Sequence, residues 1–287
     1  MLRNLHPSRI VFISLALCML LAACGQSTPT SGNTNSATAT PAPTTLAPAT
    51  LKVFAAASLK SSFTAIQTQY QQAHPNVKIV YNFAGSQALV QQITQGAPAD
   101  VFASADQKNM KKLTDAALAT DPKTFADNTL TIIVPTSNPA HITGLKDLAN
   151  KGIKIDVAAS TVPVGSYTLQ VLDKFGKASV SGATDESAIK ANFVSQEDND
   201  TAIVQKVELG EVDAGIVYAS DVTTAAASKV SFIAIPTGLN VIAQYPIAVL
   251  KNATDTNDAQ AFVQYVLSSD GQAILTKYRF LPPTASS

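Results

Sequence analysis

The stretch Val53-Phe54-Ala55-Ala56-Ala57-Ser58-Leu59 decides how this chain folds. A short apolar run ends in small alanines and a serine, and Leu59, Phe63 and Ile66 then recur at spacings of four and three residues. Serine is a favoured N-cap, so the stretch predicts a strand, a tight turn and a helix that starts at Ser58. Free N–H groups at a helix start can bind an anion without any basic residue, although an ordinary capped turn is the simpler interpretation of one such segment alone.

The first 50 residues predict export and tethering. Arg3 and Arg9 precede an apolar run that is short for a membrane span, and small residues follow it up to Cys24. This pattern resembles a bacterial lipoprotein signal, so residues 1–23 are predicted to be a signal peptide and Cys24 to carry a lipid. A plain secretory signal is the alternative. Residues 24–50 are nearly all Ser, Thr, Pro, Ala, Gly and Asn, which predicts a flexible linker.

Composition narrows the classes of ligand. The chain is 46% hydrophobic and has a formal net charge of zero, which indicates a globular protein and gives no reason to expect a nucleic acid partner. It has no tryptophan, which disfavours a carbohydrate site. Beyond the signal its only arginine is Arg279, which argues against carboxylate or phosphonate ligands held by guanidinium clamps. His74 and His141 have no second histidine or cysteine nearby, so a histidine-based zinc site is not expected.

The rest of the chain alternates short β-branched runs with helical patterns, which predicts an α/β fold with mainly parallel sheets. Ser86 repeats the context of Ser58, segments 163–167 and 199–201 supply two further helix starts, and another predicted strand ends at Tyr218. Open α/β sheets bind ligands beyond the carboxyl ends of their strands, so these groups are expected to meet in a cleft. A wall of N–H and O–H donors suits a small, fully deprotonated oxyanion and disfavours a protonated one, which needs an acceptor.

In the segments that contain these residues, the chain resembles the molybdate-binding proteins of ABC transporters. The resemblance covers about residues 51–281, nearly all of the predicted mature domain. It is carried by five blocks in the same order as in the family: VFAAASL at 53–59, FAGSQAL at 83–89, GAPADVFASADQ at 96–107, VPVGSY at 162–167 and DAGIVYASD at 213–221.

The resemblance implies a two-lobed, periplasmic-binding-protein-like fold of type II. Each lobe would hold a mainly parallel sheet flanked by helices, and two crossover segments would let the lobes close on the ligand like a hinge. The implied first lobe comprises residues 51–130 and 245–287, and the second comprises residues 131–244. The strand predicted at 244–250 is not assigned to either lobe by its own pattern.

The resemblance also implies the oxyanion-binding residues. Ser58 and Ser86 would donate hydroxyl and backbone N–H groups, and Tyr218 would donate its phenol. Val164 and Asp200 would donate backbone N–H groups. Asp200 stands where the family often has valine, and because a carboxylate would repel a dianion, its side chain is expected to turn outward. No catalytic residue and no cofactor are implied, and the only metal expected is the molybdenum of bound molybdate.

We therefore expect an extracytoplasmic receptor that delivers molybdate, and also tungstate, to an ABC permease and its ATPase. It would be a monomer, anchored by its lipid to the outer face of the cell membrane or to a periplasm-facing membrane. A receptor for sulfate or another tetrahedral oxyanion is the first alternative. An exported enzyme and a sensor module are the others. The enzyme is disfavoured because no histidine, cysteine or carboxylate pair falls on the predicted cleft residues apart from Asp200.

Overall fold

The computed structural model describes residues 47–178, 180, 182–222 and 226–284. The predicted signal peptide, the predicted lipidation site Cys24 and most of the predicted linker lie outside these residues. Within the part of the chain that is described, no helix has both the length and the apolar character needed to cross a membrane.

Strands and helices alternate along the described residues. The strands are, in chain order, β1 (Ala49–Ala56), β2 (Val77–Ala84), β3 (Val101–Ala103), β4 (Lys123–Asn128), β5 (Leu130–Pro135), β6 (Ile155–Ala158), β7 (Phe193–Glu197), β8 (Ala214–Tyr218), β9 (Val230–Ala234) and β10 (Ala243–Val249). The helices are α1 (Lys60–Ala73), α2 (Ser86–Thr94), α3 (Gln107–Asp115), α4 (Pro163–Lys177), α5 (Gly182–Ala191), α6 (Asp200–Glu208), α7 (Thr256–Leu267) and α8 (Ser269–Lys277). Short 3₁₀ turns lie at Ala57–Leu59, Leu145–Ala149, Ala219–Asp221 and Ala226–Ser228.

The first sheet has the strand order β2-β1-β3-β10-β4. β1 pairs in parallel with β2 and β3, while β10 pairs antiparallel with β3 and β4, so only β10 runs against the other strands. β1 is an interior strand of this sheet, which explains its run of small and β-branched residues; Val53 and Ala55 are fully buried. Helices α1, α2, α3, α7 and α8 pack around this sheet.

The second sheet repeats this plan in the order β7-β6-β8-β5-β9. β6 pairs in parallel with β7 and β8, and β5 is the strand that runs against the others. Ile132 and Ile133 of β5 are fully buried, and helices α4, α5 and α6 pack around the sheet. The predicted α/β fold with two mainly parallel, helix-flanked sheets is confirmed.

The chain crosses between the two sheets twice, and each sheet with its helices forms a lobe. The first crossing joins Asn128, the last residue of β4, to Leu130, the first of β5. The second runs from Ala234 to Ala243, where β10 begins. Asn240 links the crossings, because its Oδ1 accepts from the Leu130 N–H at 3.1 Å and its Nδ2 donates to the Leu130 carbonyl at 2.8 Å. The two connections therefore lie side by side, as a hinge requires.

The capping role predicted for Ser58 is wrong. Ser58 lies inside the 3₁₀ turn Ala57–Leu59, whose N-cap is Ala56 and which has no side-chain cap. The chain leaves β1 through this tight turn before α1 begins, and the N-cap of α1 is Leu59, so the serine side chain caps neither element. The strand predicted at 244–250 corresponds to β10 and belongs to the first sheet.

Candidate functional site

Four chain segments from both lobes begin a helix or turn around one small cavity. β1 leads to the turn Ala57–Leu59, β2 to α2, β6 to α4 and β7 to α6, so every start follows the carboxyl end of a strand. The cavity measures about 10 Å³, which is room for about one water-sized sphere. It is lined by Ala56, Ala57, Gly85, Ser86, Ala105, Val162, Pro163, Val164, Asp200 and Tyr218. Four of the five predicted binding residues are therefore brought together.

Ser86 brings a hydroxyl donor to the cavity from the first lobe. It is the first residue of α2 and is buried. Its Oγ accepts a hydrogen bond from the backbone N–H of Ala105 at 3.0 Å. Since an acceptor position of the hydroxyl is already used, its proton is left to donate into the cavity. The first N–H groups of α2 have no intrahelical partner and point the same way.

Val164 supplies a backbone donor from the second lobe. Pro163 is the first residue of α4 and has no N–H, so the N–H of Val164 is the first donor that this helix presents. Gly165 lets the helix start lie against the end of β6. A Cβ at that position would stand 2.2 Å from the carbonyl oxygen of Ala159 and 2.4 Å from that of Ala158. The close approach therefore requires a glycine.

Tyr218 places a buried phenol at the end of β8. Its side chain is 1% exposed, and its hydroxyl has no hydrogen-bond partner among the described residues. The rings of Tyr167 and Tyr245 lie against it with centroids 6.5 and 5.7 Å away. Burial raises the pKa of the Tyr218 phenol well above its usual value, so the group remains a donor at neutral pH. Because Tyr218 also lines the cavity, its unpaired hydroxyl is available to donate to a ligand there.

The outward orientation predicted for the Asp200 side chain is wrong. Asp200 is the first residue of α6, is 4% exposed and lines the cavity. Burial raises the pKa of the Asp200 carboxyl, and the nearby Asp221 side chain and the backbone N–H groups of Asp200 and Thr201 oppose this rise. Asn199 is the N-cap, and its Oδ1 accepts from the Ala202 N–H at 3.0 Å. Because Asn199 takes the capping position, Asp200 is the residue turned toward the cavity.

Ser58 lies beside the cavity rather than in its lining. With Ala57, it lines an adjoining cleft of about 200 Å³ between the lobes. Its Oγ is 2.9 Å from the hydroxyl of Tyr245, and Asn128 Nδ2 donates to the same Tyr245 oxygen at 3.4 Å. Either of the two hydroxyls can be the donor in the Ser58–Tyr245 hydrogen bond, and when Tyr245 donates, the Ser58 proton is left for another acceptor.

A larger cavity near the crossovers has a different character. It measures about 500 Å³ and is lined by Phe232 and Ile242, both about half exposed, and by Arg279, whose guanidinium carbon lies 4.6 Å from the centre of the Phe232 ring. This largely apolar wall does not suit a small inorganic anion, which needs many donors. The small cavity at the helix starts is therefore the candidate site.

Comparison with known proteins shows the family to which the chain belongs. A sequence profile of the family described as bacterial extracellular solute-binding protein matches residues 51–281. The chain belongs to this family. The family is one of binding proteins, so the expectation that this chain is not an enzyme is confirmed, as is the expectation that its ligand is held without a cofactor.

Relatives of this solute-binding protein agree with the assignment. The molybdate-binding protein ModA of Mycobacterium tuberculosis is 38% identical over 272 residues, which are 94% of this chain and 96% of the relative. The periplasmic molybdate-binding protein of Azotobacter vinelandii has a TM-score of 0.70 at 21% identity, covering 82% of this chain and 100% of that one. The sulfate-binding protein SubI of M. tuberculosis has a TM-score of 0.72 at 17% identity, covering 82% and 87%. These two structures confirm the predicted two-lobed fold of the periplasmic-binding-protein type.

Sequence reasoning missed the residues that orient the donors. Tyr245, Asn128 and Ala105 fix the hydroxyls of Ser58 and Ser86. Tyr245 lies on β10, the strand whose lobe its own pattern did not assign, and Asn128 lies at a crossover. The Ser58–Tyr245 contact spans 187 residues of sequence and the Asn128–Tyr245 contact spans 117, so no local pattern could have indicated them.

Proposed function

We propose that this protein captures molybdate between its lobes, where the small cavity meets the adjoining cleft, using Ser58, Ser86, Val164, Asp200 and Tyr218, and delivers it to an ABC permease and its ATPase. The observation that carries the proposal is the convergence of four strand ends and a buried, unpaired phenol on one cavity. A fully deprotonated tetrahedral oxyanion has only acceptor oxygens, which such donors match. The 38% identity to a molybdate-binding protein favours molybdate among these anions.

The proposal extends to anchoring and to a second ligand. Tungstate has the same charge and tetrahedral shape as molybdate and would use the same donors. The lipoprotein-like sequence that ends at Cys24 supports a monomer tethered by lipid and a flexible linker at the outer face of its membrane. Fractionation of cells that carry Cys24→Ser tests the anchor.

Calorimetric titration with molybdate and with sulfate at equal ionic strength tests the ligand. We expect the Kd for molybdate to be at least about tenfold lower than that for sulfate, a difference of about 1.4 kcal/mol. The fold does not decide between these anions, because the molybdate and sulfate receptors superpose almost equally well. Equal or tighter binding of sulfate would overturn the molybdate assignment in favour of a receptor for another oxyanion.

Ser58→Ala is expected to weaken molybdate binding by about tenfold, because it removes a hydroxyl that can donate to the ligand while it accepts from Tyr245, and a hydrogen bond to a charged group contributes about 1.5 kcal/mol or more. Titration calorimetry measures the change. Ser61→Ala is the matched control, since Ser61 lines the same cleft near the start of α1. Unchanged affinity in Ser58→Ala would remove Ser58 from the binding residues.

A further inference from the structure

Two carboxyl groups face each other beside the cavity. Asp200 lines it from the start of α6, and Asp221 ends the 3₁₀ turn that follows β8. The two carboxyls lie within hydrogen-bonding distance of each other. Asp221 Oδ2 accepts from the backbone N–H of Tyr218 at 2.9 Å, whereas Asp200 Oδ2 receives no N–H or hydroxyl donor from the described residues.

This geometry requires a shared proton. Two carboxylates offer each other only acceptors, so a hydrogen bond between them exists only when one is protonated. Neither carboxyl forms an ion pair within the described ranges. Burial raises the pKa of Asp200, and burial together with the Asp200 charge raises that of Asp221 well above its ordinary value.

The groups packed around the pair do not supply a compensating charge. Tyr218 from β8 and Tyr245 from β10 are neutral phenols whose pKa is raised by burial, and Asp106, which faces Tyr218, is another acid. Lys60 and Glu208 line the outer cleft and carry opposite charges. The charge of the pair is therefore controlled mainly by its own proton.

The pair also joins the inner cavity to the outer cleft. Asp200 lines the cavity of about 10 Å³, and Asp221 lines the adjoining cleft of about 200 Å³. A proton that reaches Asp221 from the cleft can pass to Asp200 through the hydrogen bond between them. The pair can therefore exchange protons with solvent while the inner cavity is occupied.

We propose that Asp200 and Asp221 make oxyanion capture proton-coupled: when a tetrahedral dianion enters the cavity, the pair takes up one proton, and the Asp200 carboxyl then donates a hydrogen bond to the ligand. This inference rests on the proposed function, since it takes a dianion as the ligand. The added proton removes the repulsion between the dianion and the single negative charge of the pair. It also removes the attraction of a charged Asp200 carboxyl for the nearby N–H groups of Asp200 and Thr201, so these groups can turn to the anion.

The direction of the pH dependence follows from the proton count. The liganded protein binds one more proton than the free protein, so affinity falls as pH rises, by up to about tenfold per pH unit. An asparagine at position 200 carries no titratable proton and donates an N–H in place of the carboxyl O–H. The affinity of the Asp200→Asn variant is therefore not expected to change with pH.

Calorimetric titration with sodium molybdate at constant ionic strength tests the inference between about pH 6.5 and about pH 8.5. Repeating each titration in buffers of different ionisation enthalpy counts the protons taken up. We expect the wild type to take up close to one proton and to lose about tenfold or more in affinity across this range. Asp200→Asn is expected to take up none, to keep a constant Kd and to bind more tightly than the wild type at the highest pH.

Two further variants separate the pair from general charge effects. Asp198→Asn removes an exposed carboxylate two residues earlier and should keep the proton uptake of the wild type. Asp221→Asn leaves Asp200 as a carboxylate without its proton partner and should bind more weakly than the wild type at about pH 7.5. Proton uptake that survives in Asp200→Asn would assign the coupling to another group and overturn the inference.

The outcomes distinguish the inference from the proposed function. Molybdate binding without proton uptake and with a flat pH profile overturns the inference and leaves the proposed function standing. If molybdate does not bind, the same titrations are carried out with sodium sulfate, which is also a dianion in this pH range. Their result then tests the inference. Sulfate binding with proton uptake overturns only the molybdate assignment, whereas sulfate binding without it, or no binding of either anion, overturns both.

Discussion

Tyr218→Phe is expected to weaken molybdate binding by about 10- to 150-fold, which corresponds to the roughly 1.5–3 kcal/mol of a hydrogen bond to a charged group. The substitution removes one oxygen from a side chain that is 1% exposed and keeps its ring in place between Tyr167 and Tyr245. The melting temperature of the ligand-free protein is not expected to fall, because the Tyr218 hydroxyl makes no hydrogen bond with the described residues. Calorimetry gives the affinity, and a thermal melt without ligand gives the stability.

Tyr70→Phe is the matched control for this prediction. Tyr70 is also fully buried, and its hydroxyl also lacks a partner among the described residues, but it lies on α1 against Phe262 and Tyr265 of α7. Its loss should therefore leave molybdate affinity unchanged. If Tyr218→Phe kept the wild-type affinity, or if its ligand-free protein melted at a lower temperature, the phenol would be a structural group and not a ligand donor.

The sequence predicts those parts of the fold whose residues carry a strong local pattern. β5, with the sequence LTIIVP, is a run rich in β-branched residues, a pattern that by itself predicts a buried strand. β4, with the sequence KTFADN, has little apolar pattern and is held by pairing with β10, which lies more than 100 residues later. α5 has a weak helical pattern, because it buries little beyond Gly182 and Ile189. Both elements depend on distant partners that a local pattern does not contain.

In the candidate site, too, residues with a local sequence signal could be predicted, whereas residues that depend on distant partners could not. Ser86, Val164 and Tyr218 follow glycine, proline or strand-end signals, and the structure brings them to one cavity. The orientation of Asp200 could not be predicted from its own segment, because it depends on Asp221 from another element. A single carboxylate beside a dianion is unfavourable, and the sequence therefore predicts that the Asp200 side chain turns outward. A protonated pair changes that balance.

Gly85→Ala is expected to weaken molybdate binding at least about tenfold by preventing the lobes from meeting, since only the closed fraction of molecules binds. Gly85 is the N-cap of α2 in the first lobe, and a Cβ there would lie 2.5 Å from the backbone carbonyl oxygen of Asp198 in the second lobe. Its φ of −58° is one that alanine adopts freely, and the first-lobe atoms that the Cβ would approach are Nε2 and Oε1 of Gln87, the far end of a flexible side chain, so the first lobe itself accommodates the substitution. The ligand-free melting temperature should therefore stay close to that of the wild type.

The contact that Gly85 permits is also the place where the lobes are bonded, because Gln87 Nε2 donates to the same Asp198 oxygen at 3.0 Å. Gln87→Ala removes that hydrogen bond without adding an atom between the lobes, so it should cost less affinity than Gly85→Ala. Gly144→Ala controls for the loss of a glycine, since a Cβ there meets nothing within 4 Å. Small-angle scattering with saturating molybdate separates the causes: we expect the radius of gyration to fall in the wild type and in Gly144→Ala but not in Gly85→Ala. If the radius of gyration of Gly85→Ala fell as much as that of the wild type, the Asp198 carbonyl would have moved to make room for the Cβ. Closure of the lobes would then not depend on this contact.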